Sequence, residues 1–175
     1  MKTHKIIVLG PFVGKGYKVL RTIQRFCDRL EEFGTRVLLV PDLFPVSDPD
    51  AYTSEEGRLN SCKAIDASSA ALLVFLSPET LGIAPGEHDS VGGHAWEFGV
   101  IYEQVRKGRV FYAAFLFDGE ECRSKVSKLL QGQWQGRDLE AVASRPGDIS
   151  ELCELALQLC ISLVNRLEAQ HRDFS

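Results

Sequence analysis

A carboxylate flanked by two aromatic residues is the feature of this sequence that points most directly to chemistry. Glu97 stands between Trp96 and Phe98, in the stretch Gly92-Gly93-His94-Ala95-Trp96-Glu97-Phe98-Gly99. The apolar spacing predicts a helix over His94–Lys107 with Glu97 in its first turn. A carboxylate in a first turn can serve only to cap the helix and complement its dipole. An aromatic-walled carboxylate at a loop–helix junction also suits a nucleophile that attacks a sugar carbon.

Gly99 lies two residues beyond Glu97, inside the predicted helix. Glycine in a helix interior costs about 1 kcal/mol relative to alanine. We therefore expect a close-packed neighbour that leaves no room for a larger side chain at this position.

A second candidate for binding chemistry is the glycine-rich segment Gly10–Gly16, which reads Gly-Pro-Phe-Val-Gly-Lys-Gly. Glycines before a helix can present backbone N–H groups to an anion. The segment is neither a Walker A motif, because no Ser or Thr follows Lys15, nor a G-x-G-x-x-G motif. A plain strand-to-helix turn is the alternative interpretation.

Histidines and acids near the aromatic stretch do not have the spacing of a standard metal site. Glu87-His88 and His94 are the residues concerned. We expect no metal and no cofactor. His94 either contacts a ligand or caps the helix.

Alternating strand and helix patterns position the candidate residues. This alternation predicts one α/β domain over residues 1–175. Short apolar runs predict strands at Lys5–Leu9, Arg36–Val40, Ala70–Leu76, Arg109–Phe117 and, at an edge, Leu139–Ala143. Helical periodicity covers Tyr17–Phe33, Ser54–Ser68, His94–Lys107, Glu121–Leu130 and Ile149–Glu168. We expect a flavodoxin/Rossmann-like three-layer sandwich of about five mostly parallel strands in the order 2-1-3-4-5.

Three predicted loops leave the carboxyl ends of strands, where open α/β sheets bind ligands. They are Gly10–Gly16, Pro41–Thr53 and Ser77–Gly93. We expect the first and the third to line one cleft together with the side chain of Glu97.

Composition narrows the range of partners and compartments. The chain has 175 residues, is 45% apolar and 25% charged, and carries a formal net charge of −4. A mildly acidic chain without a basic block favours neither nucleic acid nor an anionic membrane surface. No apolar run reaches the roughly 18 residues of a membrane span. The odd number of cysteines without a CxxC pair is typical of core thiols in a reducing, cytoplasmic compartment: Cys27, Cys62, Cys122, Cys153 and Cys160.

Three segments in order carry a family resemblance: the first strand with Gly10-Pro11-Phe12, the run Asp66–Leu76, and Gly93–Gly99. Over about residues 5–117 they resemble the nucleoside 2-deoxyribosyltransferase superfamily, which includes the 2′-deoxynucleoside 5′-phosphate N-hydrolases. The resemblance implies that Glu97 is the nucleophile that takes the sugar, with Trp96 as the preceding aromatic residue.

The same resemblance implies a set of substrate-binding residues. The glycine-rich loop would help to hold the nucleoside or its phosphate, and Ser90 lies one place from the usual serine of the phosphate loop. The implied binding residues are Gly10, Pro11, Phe12, Gly14, Ser90, Gly93, His94 and Trp96. The related enzymes also carry an Asp on the helix before the third strand, and Asp66 is the residue of this sequence that could correspond to it. Related enzymes often complete the site from a second subunit, which implies a homo-oligomer.

The chain is also similar to TIR domains. Ser68-Ser69, then Leu73–Ser77, then Trp96-Glu97 resemble the run I-x-x-S … V-x-L-S … W-C-x-x-E, although here the Glu follows the Trp directly. The catalytic Glu of TIR domains cleaves NAD at the nicotinamide bond. Both families use one Glu beside a ribose to break an N-glycosidic bond.

Three functions therefore remain open. The first is cleavage or transfer of an N-glycosidic bond in a nucleoside or nucleotide, with Glu97 as nucleophile or oxocarbenium stabiliser and Asp66 or Asp89 as the acid that assists the leaving base. The second is a TIR-like NAD glycohydrolase in signalling or defence. The third is a non-catalytic nucleotide-sensing or interaction domain.

Overall fold

The five predicted apolar segments form one parallel sheet in the computed structural model. The structure describes residues 3–11, 15–45, 55–84, 91–126 and 140–173; for residues 91–96 it describes the backbone. The strands are β1 (His4–Leu9), β2 (Thr35–Leu39), β3 (Ala70–Phe75), β4 (Tyr112–Phe117) and β5 (Glu140–Ala143). Their order is β2-β1-β3-β4-β5, and every pairing is parallel. The predicted fold class and strand order are confirmed.

Helices cover both faces of this sheet. They are α1 (Lys15–Cys27), extended by a 3-10 segment (Asp28–Phe33), α2 (Val40–Leu43), α3 (Glu55–Asp66), α4 (Pro78–Leu81), α5 (Val91–Arg106), α6 (described over 120–126) and α7 (Ile149–Asp173). Right-handed crossovers put the helix after β1 on one face and the helices after β2 and β3 on the other. Accordingly, α1 packs on α7, and α3 packs on α5. In the described part of the chain no helix is long and apolar enough to cross a bilayer.

Two of the segments predicted as loops begin with a short helix. In α2, Pro41 occupies the first turn and the Asp42 carboxylate accepts a hydrogen bond from the backbone N–H of Leu39 at 2.8 Å. In α4, Pro78 follows Ser77, whose hydroxyl oxygen accepts from the backbone N–H of Thr80 at 3.3 Å. Proline in the first turn together with a polar cap is a helix-start signal. The loop prediction was therefore wrong for these two turns.

Aromatic packing on β4 anchors α5 to the sheet. Phe98 is 1% exposed, and its ring centroid lies 5.5 Å from that of Phe115. Phe75 and Phe117 continue the cluster, with centroids 4.8 Å apart. Because these rings are fully buried, the rotation of α5 about its own axis is fixed, and with it the direction of its other side chains.

Arg109 lies in the connection between α5 and β4, at the edge of the sheet where the strands begin. Its guanidinium donates to the carbonyl oxygens of Ile65 at 3.2 Å, Asp66 at 2.9 Å and Ser68. The first two carbonyls belong to the last turn of α3, where the helix leaves carbonyls without helical partners, and Ser68 lies just beyond that turn. Arg109 thus binds the C-terminal end of α3. Strand β4 begins only at Tyr112, later than the predicted start at Arg109.

Among the described residues, Gly99 has no close-packed neighbour, contrary to the expectation from sequence. A Cβ built at this position would have no described heavy atom within 4 Å outside the adjacent backbone of its own helix. We predict that Gly99→Ala raises the free energy of unfolding by about 1 kcal/mol, because alanine restricts the unfolded chain and favours the helix. Gly16→Ala is the matched control in α1 and should destabilise, since its Cβ would lie 2.4 Å from the carbonyl oxygen of Pro11. Urea unfolding measures both; a less stable Gly99→Ala protein would contradict the prediction.

Three of the five cysteines are core residues: Cys27 on α1, with Cys153 and Cys160 on α7. Burial raises the pKa of the Cys153 thiol to about 11. A hydrogen bond with Cys27, together with burial, raises the pKa of Cys160 well above its usual range. Cys153 and Cys160 are therefore protonated at neutral pH, and burial shields all three thiols from solvent.

The predicted consequence is a two-step thiol titration. With Ellman's reagent at neutral pH, the two half-buried thiols, Cys62 and Cys122, should react in the native protein, and all five should react after unfolding. Rapid reaction of three or more thiols without denaturant would contradict this account of the core.

Candidate active site

Glu97 lies in the second turn of α5. The helix starts at Val91, before the predicted start at His94, so Gly92 and Gly93 are helical residues. The prediction that Glu97 occupies the first turn was wrong, because tertiary packing outweighs the low helix propensity of the two glycines. The helix dipole acts mainly within the first turn. Capping therefore does not account for a carboxylate at position 97.

The side chain of Glu97 is turned into the protein and towards α3. Glu97 is 8% exposed. Burial raises the pKa of Cys62 on α3, and the nearby carboxylates of Asp66 and Glu97 raise it further. Ile101, one turn after Glu97 on the same face of α5, is 3% exposed. Glu97 therefore belongs to the interface between α3 and α5, where a carboxylate is largely withheld from water.

The contact between Asp66 and Gln104 defines how α3 and α5 are aligned. The Gln104 side-chain amide donates to Asp66 Oδ1 at 2.7 Å. Both helices run from the carboxyl edge of the sheet towards the edge where strands begin. Glu97 precedes Gln104 by two turns, which is about 10 Å of helix. By this alignment Glu97 is level with the middle of α3.

The structure does not bring Asp66 to Glu97. Asp66 is the last residue of α3, and its side chain is 60% exposed. It accepts from Gln104 and forms an ion pair with Arg109 at 3.8 Å. It lies at the edge where strands begin, whereas Gly10 follows the carboxyl end of β1. Asp66 therefore serves to fix the C-terminal end of α3, and it is poorly placed to protonate a leaving base beside Glu97.

Packing explains two glycines of the predicted anion loop. A Cβ at Gly10 would lie 2.8 Å from Leu20 Cδ2 and 3.2 Å from the carbonyl oxygen of Val74. A Cβ at Gly16 would meet the carbonyl oxygen of Pro11. These glycines let α1 approach the end of β1 closely, which is the plain strand-to-helix turn considered from sequence.

The remaining predicted site residues fall at or beyond the limits of the described structure. Phe12, Gly14, Asp89 and Ser90 lie outside the described residues. Gly93, His94 and Trp96 lie in the first two turns of α5, where the backbone is described. The predicted cleft between Gly10–Gly16 and Ser77–Gly93 therefore stays a prediction. Its two sides start at neighbouring strand ends, because β1 pairs with β3.

Asp118 is a buried acid that the sequence reasoning missed. It follows β4 and is 1% exposed. Its Oδ2 accepts from the backbone N–H of Ser77 at 2.9 Å, from the Ser77 hydroxyl at 2.7 Å and from the Thr80 hydroxyl at 2.5 Å. Its Oδ1 accepts from the backbone N–H of Gly147 at 2.7 Å. An acid directly after an apolar strand was the signal that would have identified it.

These hydrogen bonds control the ionisation of Asp118. Burial alone would raise its pKa, but the bonds from Thr80, Ser77 and Gly147 outweigh burial and hold the pKa below its ordinary value. The carboxylate is therefore charged at neutral pH and fully occupied by donors. Its role is to tie the loop after β3 to the turn after β5, and so to shape the carboxyl edge of the sheet.

Metal chemistry receives no support from the described side chains. Among them, no group of three or more His, Cys, Asp or Glu residues is arranged to hold a metal ion. Among the described residues, the candidate site thus consists of one buried carboxylate, Glu97, between two helices that cover one face of a parallel sheet.

Comparison with known proteins leaves the family open. No family model matches the chain, and no curated protein matches it. Among solved structures, the chain is similar to the crystal structure of a conserved protein from Enterococcus faecalis V583, with 17% sequence identity and a TM-score of 0.49. The similarity covers 87% of this chain and 98% of that one. What the protein does must therefore be inferred from its own residues.

Proposed function

We propose that this protein cleaves or transfers the N-glycosidic bond of a nucleoside or nucleotide, with Glu97 as nucleophile or stabiliser of the sugar cation. The observation that carries the proposal is the position of Glu97. It is a carboxylate that is 8% exposed, on the helix that follows the central strand β3. In this strand order the ligand-binding switch point lies between β1 and β3, the strand that leads into this helix.

The chemistry follows from how an N-glycosidic bond breaks. As the base departs, positive charge builds up at the anomeric carbon in an oxocarbenium-like transition state. A fixed carboxylate beside that carbon interacts more strongly with the transition state than with the neutral substrate. The interaction is strengthened where water is largely excluded, as it is at Glu97. A covalent glycosyl–carboxylate intermediate would be the limiting case of the same interaction.

The leaving base sets a second requirement. Most nucleobases depart more easily when an acid protonates them, whereas the nicotinamide of NAD departs as a neutral molecule without added protons. Asp66, one of the two acids considered, lies about two turns of helix from Glu97 and is bound to Gln104. Asp89 lies outside the described residues. NAD therefore belongs in the substrate panel beside deoxynucleosides and deoxynucleotides.

The proposal is tested by incubating the purified protein separately with NAD, with the four 2′-deoxynucleosides and with their 5′-monophosphates. Free base is quantified by chromatography. We expect release from at least one of these three substrate classes, and the class that reacts identifies the base and the phosphate state. Absence of base release from all three, with a folded protein, would reject the enzyme and favour the nucleotide-sensing or interaction domain.

A further inference from the structure

Strand β2 forms one margin of the sheet, and its sequence is that of a strand able to pair with another chain. It pairs with β1 on one side, and no described strand lies on its other side. The run Arg36–Val40, which covers most of β2, reads Arg-Val-Leu-Leu-Val, and its last four residues are buried. Apolar, β-branched segments of low charge at a sheet edge are sites where a further strand can add. The free side of β2 therefore favours association unless its backbone groups are blocked.

The pairing with β1 determines which backbone groups of β2 face the free side. The carbonyl oxygen of Gly34 accepts a hydrogen bond from the backbone N–H of His4 on β1 at 3.0 Å, so the backbone groups of Gly34 turn towards β1. Backbone groups of successive residues in a strand alternate between its two sides. Those of Val37 and Leu39, which are three and five residues after Gly34, therefore turn away from β1 and towards the free side.

Side chains from two helices bind to these outward groups. Gln24 Nε2 on α1 donates to the carbonyl oxygen of Val37 at 3.2 Å, and it also donates to Asp28 Oδ1 at 3.0 Å. Asp42 Oδ2 on α2 accepts from the backbone N–H of Leu39 at 2.8 Å. A further strand would have to form its ladder bonds with the same carbonyl and the same N–H. Both groups are thus already bound within the chain.

Arg21 connects the two blocking side chains. Its Nη1 donates to Gln24 Oε1 at 3.1 Å and to Asp42 Oδ1 and Oδ2 at 2.9 and 3.1 Å, and its Nη2 donates to the Tyr17 hydroxyl at 2.7 Å. Capping of α2 accounts for the contact of Asp42 with the backbone. Capping does not account for a glutamine of another helix bound to a strand carbonyl, or for an arginine that joins the two. We call Arg21, Gln24 and Asp42 the edge network.

We propose that the edge network keeps the free edge of β2 closed to a second copy of this chain, so that the sheet does not extend from one molecule into the next. The excluded partner is the identical strand, because two copies related by a two-fold axis would bring β2 beside β2 with the same groups facing each other. The Arg21 and Asp42 side chains are 22% and 24% exposed, so the network lies at the surface that a second copy would approach. This inference does not depend on the enzymatic function proposed above.

Self-association of the 175-residue chain tests the proposal. Gln24→Met keeps the length of the side chain and removes its donors, and Asp42→Ala removes the acceptor, so the double variant opens both backbone groups. Arg21→Met is a milder second variant, because it leaves both blocking side chains in place and removes only the group that connects them. Arg25→Met is the matched control, at an exposed arginine one turn further along α1.

Sedimentation velocity over a wide range of protein concentration measures the association. At high concentration the double variant should form a species of about twice the wild-type mass, which dissociates on dilution. Arg21→Met should form the same species at higher concentration, and Arg25→Met should behave as the wild type does. Absence of a larger species in the double variant, or its equal formation by Arg25→Met, would overturn the proposal.

Hydrogen exchange of the Leu39 amide separates strand pairing from aggregation of a damaged fold. In dilute solution this amide should exchange about tenfold faster in the double variant than in the wild type, because a hydrogen bond to a carboxylate is lost. Where the larger species forms, the protection of Leu39 should return, while the amide of Leu72 in the central strand β3 stays strongly protected throughout. A larger species with an unprotected Leu39 amide, or with loss of protection at Leu72, would show association through another surface or through unfolded chains and would overturn the proposal.

Discussion

Replacing Glu97 with glutamine is expected to lower the rate of base release by about three orders of magnitude or more. Glutamine keeps the shape of the side chain and removes the charge that stabilises the oxocarbenium-like transition state. Loss of one preorganised electrostatic group typically costs a factor of about 100 to 1,000 in kcat, and loss of a nucleophile costs more. Because the interaction acts mainly in the transition state, kcat should fall far more than KM changes.

Glu103→Gln is the matched control for this substitution. Glu103 lies on the same helix, its side chain is 47% exposed, and it pairs with Arg106 at 3.1 Å. An exposed pair of this kind contributes little to stability. The Glu103→Gln protein should therefore retain wild-type kcat and KM. A thermal unfolding curve for Glu97→Gln, measured beside the kinetics, separates loss of chemistry from loss of fold.

Replacing Asp118 with asparagine is expected to lower the free energy of unfolding by about 2–4 kcal/mol. The carboxylate accepts from Ser77, Thr80 and Gly147 through both of its oxygens. An asparagine amide must direct an NH2 group at one of these sets of donors, which leaves buried donors without an acceptor. Urea unfolding measures the change, and Glu120→Gln, at a side chain that is 75% exposed, is the neighbouring control.

The difference in stability between the wild type and Asp118→Asn should change with pH in a defined direction. The pKa of Asp118 in the folded protein lies below its ordinary value of 3.8. Its charged form therefore stabilises the fold fully above the unfolded-state pKa, and the contribution is lost as the pH falls through the folded-state pKa. The gap in stability between wild type and Asp118→Asn should be constant above about pH 5 and narrow below about pH 4. A gap that widens on acidification would contradict this account of the carboxylate.

The sheet and its order could be predicted from sequence because the three central strands, β1, β3 and β4, contain continuous apolar runs. The run Ala70–Phe75 is buried along its whole length, and a strand covered on both faces has no alternation to misread. Separation of such runs by helix-length segments leaves right-handed crossovers as the simplest connection. The regular part of the fold is thus encoded locally.

The start of α5 could not be predicted in the same way. Gly92 and Gly93 have low helix propensity, so the pattern placed the helix start after them, whereas the helix begins at Val91. Packing of Phe98 against Phe115 holds the helix to the sheet, and that contact joins residues on different elements. Local propensity is a weak guide where tertiary packing of this strength decides the outcome.

The buried polar groups were harder still to predict. Asn60 and Ser61 fall in a helix whose apolar periodicity is weak, so the sequence does not reveal which face is buried. Asp118 draws its partners from two separate loops, at Ser77 and at Gly147. Such roles depend on side chains that meet only after the chain has folded, whereas Glu97 was identifiable from its own aromatic neighbours.

The measurement that tests the central claim most directly is chromatography of free base after wild-type and Glu97→Gln proteins are incubated under identical conditions with NAD, deoxynucleosides and deoxynucleotides. The account predicts that the wild type releases base from at least one of these classes and that Glu97→Gln, folded to the same extent, releases about 1,000-fold less. Equal release of base by the two proteins would contradict it, because Glu97 would then have no part in breaking the bond.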